Sequence, residues 1–173
     1  AFLGLLTVLF FAWLYFSALQ VKDTQPEKFS NLPDAPTLKS GQTIKVLSWN
    51  IQFLAGNENN HFFFDYGDDT WPSSSTRQQI LKQIAEVIIA EQPDIILLQE
   101  VDEGAKRTGY EDQLVALMAL LPPEYGNHAS TFYWQASFVP HPSLMGAVGM
   151  KLSTLSEYRL TQATRHALTG IRS

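Results

Sequence analysis

Two polar residues, Asn50 and Glu100, close two apolar runs, and any chemistry in this chain starts from them. The run Ile44-Lys45-Val46-Leu47-Ser48-Trp49-Asn50-Ile51-Gln52 is rich in strand-forming residues and ends in amides. The run Pro93-Asp94-Ile95-Ile96-Leu97-Leu98-Gln99-Glu100-Val101 ends in a carboxylate. A carboxylate offers hard oxygen to a divalent cation. A neutral amide donates hydrogen bonds to a phosphate oxygen without competing for that cation. Each also has a plainer reading: Asn favours turns, and a strand-end Glu often pairs with a surface cation. Arg107 follows closely, and it either forks onto a phosphate or neutralises Asp102 or Asp112. Gln52 and Gln99 read as supporting hydrogen-bond partners. One amphipathic helix separates the two runs. The unit strand–helix–strand then sets Asn50 and Glu100 at the carboxyl ends of neighbouring strands, where open α/β sheets gather ligands.

The pair "LSWNIQ" and "PDIILLQEVD" resembles the endonuclease/exonuclease/phosphatase superfamily. Its members include deoxyribonuclease I-like nucleases, neutral sphingomyelinases and inositol polyphosphate phosphatases. The segment "GMKLSTLSEYRL" is similar to that family's next hairpin, so the resemblance runs from about Ile44 to the end of the chain. It implies an α/β fold, the N-terminal half of a four-layer α/β/β/α sandwich. It also implies that Asn50 is catalytic, contacting the scissile phosphate or its metal-bound water. Glu100 would be the metal ligand, for magnesium or alternatively manganese. The family's second half supplies an Asp-x-Asn motif and a late Asp-His pair, which are not found here. The chain is thus expected to be a fragment, inactive by itself, with its general base beyond Ser173. His61, His141 and His166 lack partner spacing and are not assigned that role. The loop after Glu100 looks like that of bacterial membrane-associated members.

The elements between these motifs follow from periodicity. Ser75 with Gln78 forms a capping box, opening a helix whose buried face is Ile80, Ile84, Val87 and Ile88 and which Pro93 stops. A second helix is expected from Tyr110 to Leu121, burying Leu114, Leu117, Met118 and Leu121. Strands are expected over Thr131 to Val139 and Ala147 to Leu152. Between Leu54 and Ser75 lies a long polar and aromatic loop. Its Asp65, Asp68 and Asp69 do not match the spacing of a calcium-binding EF-hand.

Residues 1–21 contain no charge and as a helix would be about 30 Å long, matching a bilayer core. A single transmembrane anchor is expected there, in competition with a signal peptide or a core helix. Cleavage after Ala18 would put bulky Phe16 where a small residue is needed. Residues 22–42, with Pro26, Pro33, Pro36 and Gly41, read as a spacer, and residues 43–173 as the incomplete catalytic domain. Acidic residues outnumber basic ones 17 to 12 for a net charge of −5, which weighs against a nonspecific nuclease. There are no cysteines, so disulfides and thiolate metal sites are excluded. The expected function is a metal-dependent phosphoester hydrolase, a phosphodiesterase or phosphatase. It would act near the membrane on a phosphoester such as a lipid-linked phosphate, with its domain on the non-cytoplasmic side. The rivals are a secreted or membrane-tethered nuclease and a non-catalytic membrane-anchored module that keeps the fold for binding.

Overall fold

A computed structural model describes residues 2–19, 22–56, 71–142 and 144–168. His61, Asp65, Asp68 and Asp69 lie outside these. The elements run α1 (Phe2–Ser17), β1 (Thr24–Pro26), β2 (Phe29–Ser30), β3 (Val46–Asn50), α2 (Ser74–Glu91), β4 (Ile95–Asp102), α3 (Gln113–Met118), β5 (Asn127–Val139), β6 (Gly146–Ser156) and β7 (Thr164–His166). The architecture is mixed α/β. A five-stranded sheet has the order β2-β5-β6-β4-β3, and β1 pairs with β7 in a separate ribbon. Among the described residues only the β3–β4 pairing in the larger sheet is parallel; its other neighbours are antiparallel.

β4 lies inside the sheet, between β6 and β3, as its apolar character on both faces requires. Ile96 and Leu98 join Ile80, Ile84 and Ile88 of α2 and Leu114 and Leu117 of α3 in one core. α2 begins slightly earlier than expected. Ser73 caps it by accepting from the Thr76 N–H at 3.1 Å, in place of the Ser75–Gln78 box. Its buried face is Arg77, Ile80, Ile84, Ala85 and Ile88. Val87 is 41% exposed, because the stripe runs one position round the helix from the one periodicity suggested. Gln92, in the left-handed region, ends the helix just before Pro93. The second helix is shorter than expected: Tyr110 has φ +64°, and Asp112 caps the start by accepting from the Leu114 and Val115 N–H groups. Leu114, Leu117 and Leu121 are buried as the stripe required, and Met118 packs against them partly buried.

β5 and β6 form a long hairpin, each strand extending beyond its expected limits. The added length begins at Asn127, a buried side chain. It accepts from the Leu32 N–H and donates to the Ser156 carbonyl. The expected spacer is not slack along its length. β1 and β2 within it are paired to β7 and β5, and Asn31 exchanges two hydrogen bonds with the backbone of Leu160.

α1 corrects a second expectation. It spans 16 residues, about 24 Å at 1.5 Å per residue. Among the described residues no helix is long and apolar enough to cross a membrane. A transmembrane helix over 1–21 is therefore not supported. The helix stops because its chain joins the sheet edge: Ala18 bridges Ala136, and the Leu19 N–H donates to the Gln135 carbonyl at 2.7 Å. Residues 4–11 are all exposed, and the Trp13 ring lies 6.2 Å from that of Phe138.

Candidate functional site

The parallel register of β3 and β4 sets Asn50 opposite Gln99, so the next residue of β4, Glu100, comes alongside it. Asn50 Nδ2 donates to Glu100 Oε1 at 2.9 Å. The Asn50 Oδ1 accepts from the Gln52 N–H at 2.9 Å, a side-chain turn that takes the chain out of the strand. Three residues in succession then occupy the left-handed region: Gln52 (φ 50°), Phe53 (φ 40°) and Leu54 (φ 61°). Glu100 does so as well, at φ 56°. It sits where the β4–β6 register shifts between Leu98 and Val101. A bulge of this kind re-aims one side chain, here the carboxylate. Each non-glycine residue in this region costs on the order of 1–3 kcal/mol, and such strain persists only where neighbours fix it.

Two buried devices supply that fixing. The first is an ion pair. Arg107 donates from Nε and Nη2 to the two carboxylate oxygens of Asp102, both at 2.9 Å, and Thr108 Oγ1 adds a third bond at 3.1 Å. The same guanidinium lies over the Phe53 ring, 3.6 Å from its centroid. Burial pushes the Asp102 carboxyl above its ordinary range. The Arg107 guanidinium and Thr108 hydroxyl pull it back, and the Glu100 charge adds to the rise. The second device is Gln113, which is only 1% exposed. It accepts from the Asp102 N–H and donates to the Phe53 carbonyl, both at 2.9 Å. One amide thus staples the strained turn after Asn50 to the strand end after Glu100.

Of the readings left open for Arg107, the structure shows the ion pair with Asp102, which places the guanidinium in the interior. Asp112 instead meets Lys151 at 3.1 Å, and that buried ammonium also reaches Glu103 at 2.7 Å. Gln99 supports β3 through a 3.3 Å bond to Ser48 Oγ. Partial burial, then the nearby Glu100 charge, push the Tyr133 hydroxyl up to about 12. At neutral pH it remains a protonated donor.

Glu100 and Asn50 come together; the described histidines, His128, His141 and His166, do not join them in a ligand cluster. Among the described residues no group of three or more His, Cys, Asp or Glu is placed to hold a metal ion. The donor set around Glu100 is one carboxylate with an amide on one oxygen. That fits a hard cation of the magnesium type, which keeps several waters and takes one or two protein carboxylates. Sequence reasoning missed Gln113 and the left-handed turn. Gln113 reaches partners 11 and 60 positions away, so no local pattern announces it.

No family model matches the chain, and no curated protein or solved structure matches it.

Proposed function

We propose that this chain is part of a metal-dependent phosphoester hydrolase acting at a membrane, with Asn50 and Glu100 at its centre. The observation that carries the reading is the 2.9 Å contact between these two side chains at adjacent strand ends, held by strained backbone. Glu100 would hold magnesium or manganese, which when bound polarises a phosphoryl oxygen and stabilises charge on the leaving group. Asn50 spends one amide hydrogen on Glu100 and keeps a second for a phosphate oxygen. Arg107 acts behind this pair, by holding Asp102 and Phe53. The outer sheet face, carrying Leu97, Gln99 and Leu152, lines a cavity of about 410 Å³. That face supports the finer fold proposal, one half of a four-layer sandwich whose other half brings the general base. The exposed apolar surface of α1 supports attachment to lipid, without requiring that the helix cross it.

The test uses the full-length protein with magnesium, on phospholipid vesicles and on plasmid DNA across a salt series. Glu100→Gln keeps the shape and removes the charge. Magnesium-dependent turnover should fall by orders of magnitude while the circular dichroism spectrum is unchanged. Asn50→Ala should impair turnover and leave metal binding in place. Undiminished activity of Glu100→Gln at limiting magnesium would sink the assignment. DNA cleavage that weakens steeply with salt, with no lipid turnover, would select the nuclease reading. Metal binding without turnover of any phosphoester would select a non-catalytic module.

A further inference from the structure

We infer that the end of the β5–β6 hairpin, carrying Ser137, Phe138, Val139 and Met145, lies in the headgroup layer of a lipid bilayer. The inference rests on the membrane reading above and goes beyond it by assigning the surface of the α/β domain that meets lipid.

Charge is the first argument. From Tyr125 to Met150 the chain contains no Asp, Glu, Lys or Arg, and residues 1–21 contain none either. These two uncharged stretches touch. The Trp13 ring packs on Phe138, Ala18 bridges Ala136, and the Leu19 N–H bonds to Gln135. An apolar helix meets a hairpin free of Asp, Glu, Lys and Arg, in a chain whose Asp, Glu, Lys and Arg all lie elsewhere.

Level is the second argument. Residues 4–11 of α1 stand off the domain, exposed all round. A helix with no polar face does not lie on a surface; it buries itself in an apolar medium. The bilayer surface must then cross α1 near its junction with the domain. Trp13 and Tyr15 stand there, aromatic residues suited to the lipid–water boundary. Because Phe138 packs on Trp13, it sits at the same depth. Trp134 and Met145, 37% and 49% exposed, extend the apolar surface along the hairpin. Beside them Lys106 donates to the Met145 carbonyl at 2.9 Å, which holds a cation at the edge of the patch.

The distance to the candidate site follows from the strand register. The Glu103 N–H bonds to the Gly149 carbonyl, and β6 begins three residues earlier at Gly146. At about 3.3 Å per residue the exit of β4 stands roughly 10 Å along the hairpin from its end. Glu100 stands farther back: its neighbour Val101 pairs with Lys151, five residues from Gly146, so a headgroup phosphoester must reach roughly 17 Å from the hairpin end to meet it. With the 22–30 segment paired into the fold, this height is set by docking and not by a flexible tether.

The absence of native cysteines makes the test direct. Leu9→Cys, Ser137→Cys, Met145→Cys and Val115→Cys would each be labelled with bimane in the full chain and mixed with phosphatidylcholine vesicles. A second set of vesicles contains spin-labelled phosphatidylcholine. Labels at Leu9, Ser137 and Met145 should shift to the blue and lose emission to the spin label. Val115, 62% exposed on α3, should do neither. Quenching at Leu9 with none at Ser137 and Met145 overturns this proposal and leaves attachment by α1 standing. No quenching at Leu9 overturns the membrane reading and this inference with it. Quenching at all four positions signals adsorption of an unfolded chain and also overturns the proposal.

Discussion

Gln113 and Arg107 carry the site without occupying it, and their substitutions have distinct signatures. Replacing Gln113 by Leu removes the amide that bonds both the Asp102 N–H and the Phe53 carbonyl in the interior. An unsatisfied buried group costs about 1–3 kcal/mol, and the variant should lose stability on that order in urea denaturation, measured against wild type. Magnesium affinity should fall with it, since the Asn50 turn and the Glu100 bulge lose their common staple. Arg107→Met leaves Asp102 buried and unpaired, at a cost on the order of 3–5 kcal/mol. The double variant Asp102→Leu/Arg107→Met should recover much of that loss, because an apolar pair carries no stranded charge. A double variant as unstable as the sum of the singles would show that Asp102 and Arg107 act separately. The phenols give a third expectation. Tyr125 is held near 12 by burial and by surrounding carboxylates, and Tyr133 near 12 by partial burial and Glu100. Both folded values lie above the ordinary 10, so their contribution to stability is fully present below pH 10 and lost as pH rises towards 12. Tyr125 and Tyr133 should ionise late when phenolate absorbance is followed against pH, and Tyr158, raised by its hydrogen bond to Asp94, should also ionise above its ordinary value. A single transition near pH 10 would contradict these environments.

At the level of elements, what the sequence reveals depends on whether a signal is local. β4 was legible because Ile95 to Leu98 are apolar on both faces, the pattern of an interior strand. Asn50 and Glu100 were placed together by the same reasoning, since a strand–helix–strand unit leaves little choice of neighbour. The bulge at Glu100 was not legible, because nothing in Gln99-Glu100-Val101 marks a left-handed carboxylate. β1 and β2 were equally hidden. Their partners β7 and β5 lie about a hundred positions or more away, and their residues read as a polar, proline-containing spacer. Local chemistry also misplaced the cap of α2: Ser73, Ser74 and Ser75 are all good capping residues, and packing selected the first. Ser73→Ala should therefore cost about 1 kcal/mol, and Ser75→Ala much less. Gly149 shows how tightly the strands meet beneath the site. A Cβ there would collide with the Glu103 carbonyl oxygen and lie 3.2 Å from the Phe132 ring. Gly149→Ala must push β6 away from the end of β4. A loss of roughly 1–3 kcal/mol, typical of overpacking, should appear in the denaturation midpoint, together with weaker magnesium binding.

Over the whole molecule, the ribbon of β1 and β7 joins positions far apart in the chain. The contact of Thr24 with His166 spans 142 positions, whereas Asn50 and Glu100 are 50 apart. The β5–β6 hairpin closes over a still shorter stretch. Chain closure is an entropic cost that rises with the length enclosed, and distant pairings form slowly. The order of assembly follows from these separations. The hairpin and the strand–helix–strand unit can form first, bringing Asn50 and Glu100 together while the N-terminal strap is still loose. β1 must wait for β7, the last described strand to be made. During synthesis, α1 and its exposed apolar surface precede the domain that will hold them by most of the chain's length. Pulsed hydrogen exchange during refolding should protect the amides of β4 and β6 early and those of β1 and β7 last. The ribbon thus acts as the closing latch of the fold, set only after the site beneath it has taken shape.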